Sequence, residues 1–196
     1  MPNEIARLTE ALARSGGASS DFDLNPGLAP QGLTLRPAAV LVAITQGAMG
    51  AEVILTKRAS HLKHHPGQIA FPGGKQDDSD ASLEDAALRE AREEIGLSPD
   101  LVRILGRLPM HETVTGFSVT PILAEVAPFQ PDRDPGEVEE VFSVPLSHVL
   151  DPARYSIERR EWRGQWRAYY AVPWGPYYIW GATARILRGL AERVRP

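Results

Sequence analysis

Three glutamates near the middle of the chain have the residue type and the spacing to hold a metal ion. Glu90, Glu93 and Glu94 stand at positions i, i+3 and i+4 of a predicted helix. Because a helix advances about 100° per residue, such positions are neighbours on one side of it. Like charges at this spacing destabilise a helix by roughly a few tenths of a kcal/mol each, so a positive charge should offset them. Clustered carboxylate oxygens suit a hard divalent cation such as Mg²⁺ or Mn²⁺.

A solvated acidic helix face is the alternative interpretation of these carboxylates. Arg89 and Arg92 would then serve as partners within the helix, and the composition of the helix alone favours this view. The preceding segment argues for a site instead. The Gly73–Gly74 pair and an Asp-rich turn lead the chain into the carboxylates, and glycines permit a close backbone approach to a phosphate.

The helix that must carry these carboxylates is the clearest in the chain, over Ser82 to Ile95. Apolar residues recur on one face at i, i+3 and i+7. Either Asp80 or Ser82 is predicted to cap its start, and Gly96 is predicted to end it.

The other predicted elements surround this helix with strands. A helix over 4–14 is followed by a loop over 18–32, and a long loop over 59–81 precedes the carboxylate helix. The apolar runs 38–44 and 52–58 are expected to form a hairpin. Further strand-like segments and a last helix are predicted at 102–109, 117–127, 141–146, 154–172 and 180–195. Such a mixture favours an α/β or α+β fold.

Composition excludes several classes of protein. The 196 residues carry 21 Lys plus Arg against 25 Asp plus Glu, a net charge of −4, which argues against a broad nucleic-acid surface. There is no cysteine, so disulfides, thiolate nucleophiles and cysteine zinc sites are impossible. No apolar run approaches the roughly 18 residues of a membrane span. We therefore expect a cytoplasmic protein without nucleic-acid or membrane partners.

The segment around the glutamates resembles the Nudix box. Residues 74–80 (GKQDDSD) and 89–97 (REAREEIGL) follow the pattern of a Gly, five residues, Glu, seven residues, then Arg-Glu-apolar-x-Glu-Glu-x-Gly-apolar. The second half matches at every specified position. In the first half Asp80 replaces Glu, and eight residues rather than seven separate it from Arg89. Asp80 is therefore interpreted as a helix cap rather than a metal ligand.

The residues upstream of the box resemble the coenzyme A branch of the Nudix hydrolases. That branch has the signature Leu-Leu-Thr-x-Arg-Ser/Ala, a basic residue, a Gly and Phe-Pro-Gly-Gly. Here the chain has ILTKRA at 54–59, then Lys63, Gly67 and FPGG at 71–74. The similarity continues through 111–126, 137–152 and 179–187 and so covers most of residues 38–190.

The resemblance implies an α/β fold, the Nudix α/β/α sandwich with a mixed sheet and a loop-helix-loop catalytic motif. It implies Mg²⁺ or Mn²⁺ as cofactor, with Glu90, Glu93 and Glu94 as metal ligands. Arg89 is interpreted as a partner that orients Glu93, one turn away. Glu137 is a candidate general base, although Glu139 and Glu140 would also be suitable. The Nudix domain is expected to span 34–196, after an N-terminal helix and loop extension over 1–33.

The resemblance also implies a small-molecule nucleotide substrate, coenzyme A, cut at its pyrophosphate into 4′-phosphopantetheine and adenosine 3′,5′-bisphosphate. A protein of net negative charge must meet such an anion with a local basic site. The candidate substrate-binding residues are Lys57, Arg58, Lys63, Gly73 and Gly74, with His64, His65 and Lys75 as further cations. Two alternatives stay open: a Nudix hydrolase of another nucleotide such as ADP-ribose or a dinucleotide, and a catalytically silent module that binds a nucleotide or a protein.

Overall fold

The computed structural model describes residues 2–14, 16–30, 32, 34–48, 50–162 and 164–194. Its helices are α1 (Pro2–Ala13), α2 (Leu83–Ile95), α3 (Leu146–Val149) and α4 (Ala182–Val194). Its strands are β1 (Ser19–Ser20), β2 (Arg36–Gly47), β3 (Gly50–Arg58), β4 (Ile69–Ala70), β5 (Gly73–Lys75), β6 (Val102–Arg107), β7 (His111–Glu112), β8 (Phe117–Val126), β9 (Val138–Pro145), β10 (Ser156–Trp162) and β11 (Gln165–Ala171).

A mixed sheet of nine strands, counted over the described residues, forms the centre of the molecule. Strand β2 runs parallel to β8 and antiparallel to β3 and β5. Strands β4 and β9 pair with β3, while β6 and β7 pair with β8, all of them antiparallel. The short β1 joins the sheet beside β7 in parallel, and β10 and β11 form a separate hairpin.

The sheet separates two apolar clusters, which makes the fold an α/β/α sandwich. Side chains of a strand alternate between faces, and in β2 Ala39, Leu41 and Ala43 pack with α2 while Val42 and Ile44 pack with the opposite layer. That opposite layer contains α1, α3 and α4. The predicted fold class is confirmed.

Helix α1 belongs to the packed body of the molecule. Its residues Ile5, Leu8 and Ala11 are buried in the same cluster as α4. At the ends of these two helices, Arg14 donates to the carbonyl of Arg193, and Arg193 donates to the carbonyl of Arg14. The helix predicted over 4–14 thus exists, with bounds shifted by one or two residues.

The loop predicted over 59–81 is wrong at two points, because the structure has the short strands β4 and β5 there. Both are held by pairing with distant residues of β3 and β2, which a local pattern does not reveal. The β2–β3 hairpin is confirmed. The last helix begins at Ala182, and the predicted end at 195 lies outside the described residues.

In the part of the chain described, no helix has both the length and the apolar character needed to cross a bilayer.

Candidate active site

Helix α2 is fixed at both ends by local sequence. The Ser82 hydroxyl accepts a hydrogen bond from the Asp85 amide at 3.1 Å, so Ser82 is the N-cap. Gly96 adopts a left-handed conformation with φ of 69° and closes the helix. The face that packs on the sheet is formed by Ala86, Ala87, Ala91 and Ile95. This burial leaves the neighbouring carboxylates at the edge of the sheet.

Glu94 is buried, with only 4% of its surface exposed. One of its oxygens accepts a hydrogen bond from the Gly73 amide at 3.1 Å. Burial raises the pKa of this carboxyl to about 8, and the negative charges of Glu90 and Glu137 act in the same direction. Hydrogen bonding from Gly73 and the positive charge of Arg58 oppose that rise. A cation next to this buried carboxyl would stabilise its charged form.

The two glycines in front of α2 allow it to lie close to the sheet. Gly73 has φ of 148°, and a Cβ there would lie 2.4 Å from the carbonyl oxygen of Ala39. At Gly74 a Cβ would lie 2.6 Å from the carboxylate of Glu90. Only glycine therefore fits at position 73, and position 74 is kept free of a side chain where Glu90 passes.

Arg89 binds four groups around the start of the site. Its Nε and one terminal nitrogen donate to the two carboxylate oxygens of Asp80, each at 3.0 Å. Its other terminal nitrogen donates to Glu90 at 2.9 Å and to Glu93 at 3.0 Å. The carbonyl of Lys75 is a further acceptor at 3.1 Å. Asp80 first, and then Glu90, raise the pKa of Arg89, and hydrogen bonding from Arg89 lowers the pKa of Asp80 in return.

The interpretation of Asp80 as a helix cap is wrong. Ser82 caps α2, while Asp80 has a nearly buried side chain that pairs with Arg89 across the turn. The contact between Arg89 and Glu93 has the i,i+4 geometry expected for an arginine that orients that glutamate. Glu93 itself is 60% exposed, whereas Glu90 is partly buried, and burial raises the pKa of Glu90.

The cations of the upstream segment lie in different places. Arg58 is partly buried and acts on Glu94. Lys57, its neighbour in β3, instead forms an ion pair of 2.7 Å with Glu139. The pairing of β3 with β9 shifts register between Lys57 and Arg58. Lys63 is exposed in the loop after β3. The charge of Arg58 therefore acts on the carboxyl of Glu94, whereas Lys57 is paired with Glu139.

Two further candidate substrate-binding residues are His65, in the loop after β3, and Lys75, which directly follows Gly74. His65 has a positive φ of 54°, and its pKa is lowered by burial and by the charges of Arg58 and His64. Lys75 forms an ion pair of 3.0 Å with Asp77. Of these candidates, Arg58 at the end of β3 is the residue whose positive charge acts on the buried carboxyl of Glu94.

Comparison with known proteins identifies the family. The model of the NUDIX domain matches residues 34–164, which is more than half of the chain. The chain belongs to the Nudix family. Nudix hydrolases are pyrophosphohydrolases that act on nucleoside diphosphate derivatives, and this chain is an enzyme of that class.

Similar Nudix proteins occur in enterobacteria and among solved structures. A relative from Enterobacter sp. (strain 638), described as the uncharacterized Nudix hydrolase NudL, is 42% identical over 172 residues, 87% of this chain and 89% of the relative. A NudL protein from Salmonella paratyphi B is 41% identical with the same coverage. The crystal structure of the Nudix hydrolase RenU from M. Smegmatis has a TM-score of 0.50 at 24% identity, over 61% of this chain and 83% of RenU. RenU shows a similar fold.

Nudix hydrolases use divalent metal ions such as Mg²⁺ or Mn²⁺, and the donors of this Nudix box fit such an ion. Glu90 and Glu94 are one helical turn apart beside Gly74 and Gly73. The charge of Glu90 raises the pKa of Glu94, and the charge of Glu137 raises the pKa of both carboxyls. A hard cation would relieve this repulsion. Within the described residues, no three Asp, Glu or His side chains already converge as a coordination shell. The assignment of Glu90, Glu93 and Glu94 as ligands stays a prediction.

Sequence reasoning missed contacts that join distant parts of this Nudix site. The Asp80–Arg89 pair spans the turn before α2, and the Ala59 amide donates to the carbonyl of Glu137 at 2.8 Å. A third is the hydroxyl of Thr183 in α4, which donates to the carbonyl of Ile69. The sequence did contain one indication of the Asp80–Arg89 pair. Asp80 departs from the Nudix pattern, and a carboxylate close to Arg89 is a candidate partner for its guanidinium.

Proposed function

We propose that this Nudix enzyme hydrolyses the pyrophosphate bond of coenzyme A or its derivatives, with release of 4′-phosphopantetheine and adenosine 3′,5′-bisphosphate. The observation that carries the proposal is the hydrogen bond of 3.1 Å from the amide of Gly73, in the FPGG segment, to Glu94. The positive charge of Arg58 acts on the same carboxyl. Arg58 belongs to the upstream signature that resembles the coenzyme A branch, and Glu94 belongs to the Nudix box. The two motifs therefore contribute to one site.

Backbone hydrogen bonds close the signature into a defined loop, which supports a role in binding. The Arg58 amide donates to the carbonyl of Gln68 at 3.0 Å, and the Gly67 amide donates to the carbonyl of Arg58 at 3.1 Å. The following residue, Ala59, is tied to Glu137. Lys63 lies within the loop closed in this way, and its side chain is exposed to solvent.

Each polar group has a role in the proposed reaction. Arg58 and Lys63 bind the phosphates of the substrate, since a guanidinium and an ammonium are the natural partners of phosphate oxygens. Glu90, Glu93 and Glu94 would hold Mg²⁺ or Mn²⁺, which would supply positive charge to neutralise the pyrophosphate. Arg89 keeps Glu93 and Glu90 in place.

The proton of the attacking water requires a base in the same cleft. Glu137 is the proposed acceptor, because it is exposed and its charge acts on both Glu90 and Glu94. An exposed carboxylate beside the metal-binding glutamates can receive a proton and return it to solvent. Hydrolysis then adds the elements of water across one P–O–P linkage, with a phosphomonoester on each product.

Product analysis by chromatography tests this proposal. The purified protein is incubated with coenzyme A and, separately, with ADP-ribose, each with Mg²⁺, with Mn²⁺ and with a chelator. We expect metal-dependent formation of adenosine 3′,5′-bisphosphate from coenzyme A and little cleavage of ADP-ribose. Preference for ADP-ribose would contradict the proposal and point to another nucleotide. No cleavage of either substrate would favour the silent binding module.

A further inference from the structure

The first turn of α4 lies against the loop that carries the upstream signature. Thr183 is 5% exposed, and its hydroxyl donates to the carbonyl of Ile69 at 3.0 Å. Two residues earlier, Gly181 lies beside Gln68, because a Cβ at Gly181 would be 3.9 Å from the side-chain amide of Gln68. A helix at the end of the chain thus holds the end of the signature loop.

Ile69, whose carbonyl accepts the hydrogen bond from Thr183, lies along the chain between two residues that contribute to the proposed active site. On one side, Gln68 holds the amide of Arg58 through its carbonyl. On the other side, four residues further along the chain, the amide of Gly73 donates to Glu94. The intervening segment pairs with β3 through β4 and buries Phe71. A shift of this segment would therefore move both Arg58, whose charge acts on Glu94, and the Gly73 amide, which donates to Glu94.

The start of α4 is itself firmly placed. The Gly181 amide donates to the carbonyl of Tyr170 at 3.0 Å, and Arg185 forms an ion pair of 2.9 Å with Asp23. The buried residues of α4 pack with α1 and the sheet. All of α4 follows residue 164, where the match to the Nudix domain ends. The contact from Thr183 thus comes from outside the matched domain.

We propose that Thr183 is a positioning residue for hydrolysis, which acts through the carbonyl of Ile69 on the placement of Arg58 and Gly73. This inference rests on the proposed site, in which those two groups face Glu94. Removal of the hydroxyl leaves the buried carbonyl of Ile69 with one hydrogen bond fewer, and the segment relaxes to recover a partner. Catalysis depends on such placement, because small displacements of reacting groups reduce the rate.

The test compares Thr183→Val, which removes the hydroxyl at nearly equal volume, with Thr183→Ser, which keeps it. Thr113→Val is the matched control. Thr113 is another buried threonine, 9% exposed, whose hydroxyl donates to the carbonyl of Phe117, and it lies outside the proposed site. Measurements are kcat and KM with coenzyme A and with ADP-ribose, the thermal unfolding temperature, and amide hydrogen exchange of the peptide that contains Gly73.

We expect Thr183→Val to lower kcat by about tenfold, with KM within about twofold of the parent value. Hydrogen exchange at Gly73 should rise, and Thr183→Ser should restore both. Thr113→Val should lower the unfolding temperature by a comparable amount and leave kcat unchanged. An unchanged kcat and an unchanged exchange rate in Thr183→Val would overturn the inference. Failure of the parent protein to cleave coenzyme A would instead refute the proposed substrate, since the Thr183 comparison can be made on whichever nucleotide is cleaved.

Discussion

Asp80 and Arg89 are joined by two hydrogen bonds, each of 3.0 Å, between a carboxylate and a guanidinium. The pair connects the turn before α2 with the second turn of that helix. Because Arg89 also binds Glu90 and Glu93, Asp80 determines where the guanidinium stands and hence how both glutamates are held. Asp80 is therefore part of the support of the Nudix site, through its pairing with Arg89.

Asp80→Asn should weaken this support and lower stability in a pH-dependent way. Pairing with Arg89 lowers the pKa of Asp80 from its ordinary value of 3.8, so the pair stabilises the folded state above that pH. The contribution is lost as the pH falls through the lowered pKa. Unfolding temperatures between pH 7 and pH 3 should show a gap of a few degrees between parent and variant at pH 7. The difference in unfolding temperature between parent and variant should become smaller at acid pH. A difference that stays constant from pH 7 to pH 3 would contradict the pairing. Asp78→Asn, in the same turn and exposed, is the control.

Glu94→Gln should leave the protein folded and reduce hydrolysis by about two orders of magnitude or more. The fold should persist because the buried carboxyl has a pKa of about 8, so a neutral amide suits this environment. Initial rates with Mg²⁺ and circular dichroism are the measurements. Glu84→Gln is the control, because Glu84 lies in the same helix and is paired with Arg107 at 2.6 Å away from the proposed site. Equal rates in the two variants would sink the metal-site assignment.

Divalent ions should stabilise the folded protein. At an ion concentration of 100 times Kd, linkage predicts a gain of about 2.7 kcal/mol in the free energy of unfolding. We expect Mn²⁺ to raise the unfolding temperature of the parent protein, chelator to reverse the shift, and Glu94→Gln to reduce it. A shift of equal size in parent and variant would place the ion elsewhere.

Gly73→Ala should destabilise the protein by about 3 kcal/mol or more, since the new Cβ would meet the backbone of Ala39 and the backbone has φ of 148°. Urea unfolding measures the loss. Gly17→Ala is the comparison, because a Cβ at Gly17 would have no atom within 4 Å. Similar stability of the two variants would show that β2 and β5 can separate at little cost.

Arg58→Gln should raise KM for coenzyme A by about tenfold, because a charged hydrogen bond to phosphate is worth about 1.5–3 kcal/mol. The effect on kcat should be smaller. Steady-state kinetics over a range of substrate concentrations separates the two constants. Arg103→Gln, which removes an exposed arginine paired with Glu125, is the control and should leave both constants unchanged. An unaltered KM in Arg58→Gln would remove the support for coenzyme A.

Helix α2 could be predicted from sequence because its determinants are local. The cap at Ser82 and the left-handed Gly96 each act on the adjacent turn. The spacing of Glu90 and Glu94 follows from helix geometry alone, so their common direction was predictable. The sandwich fold and the family followed from the resemblance of the box, and the matched domain confirms both.

Other features depend on residues far apart in the chain, which is why local patterns missed them. Strands β4 and β5 are two and three residues long and exist through pairing with β3 and β2. Nothing near Lys57 in the sequence indicates that Glu139 neutralises it across the strand pair. The same holds for Thr183 and Ile69, which are 114 positions apart. Burial and pairing at such separations are tertiary properties.

The mutual hydrogen bonds of Arg14 and Arg193 join residues separated by 179 positions, close to the full length of the chain. Ile5 and Leu8 of α1 are buried in a cluster to which α4 contributes Ile186, Leu187 and Leu190, so this burial is incomplete until α4 has been synthesised. Domains fold as units during translation, and contacts of high sequence separation form late. A polypeptide that lacks α4 would thus expose the part of α1 that α4 covers, and exposed apolar surface favours aggregation. The packing of α1 on α4 therefore couples the burial of α1 to the synthesis of residues up to 179 positions later.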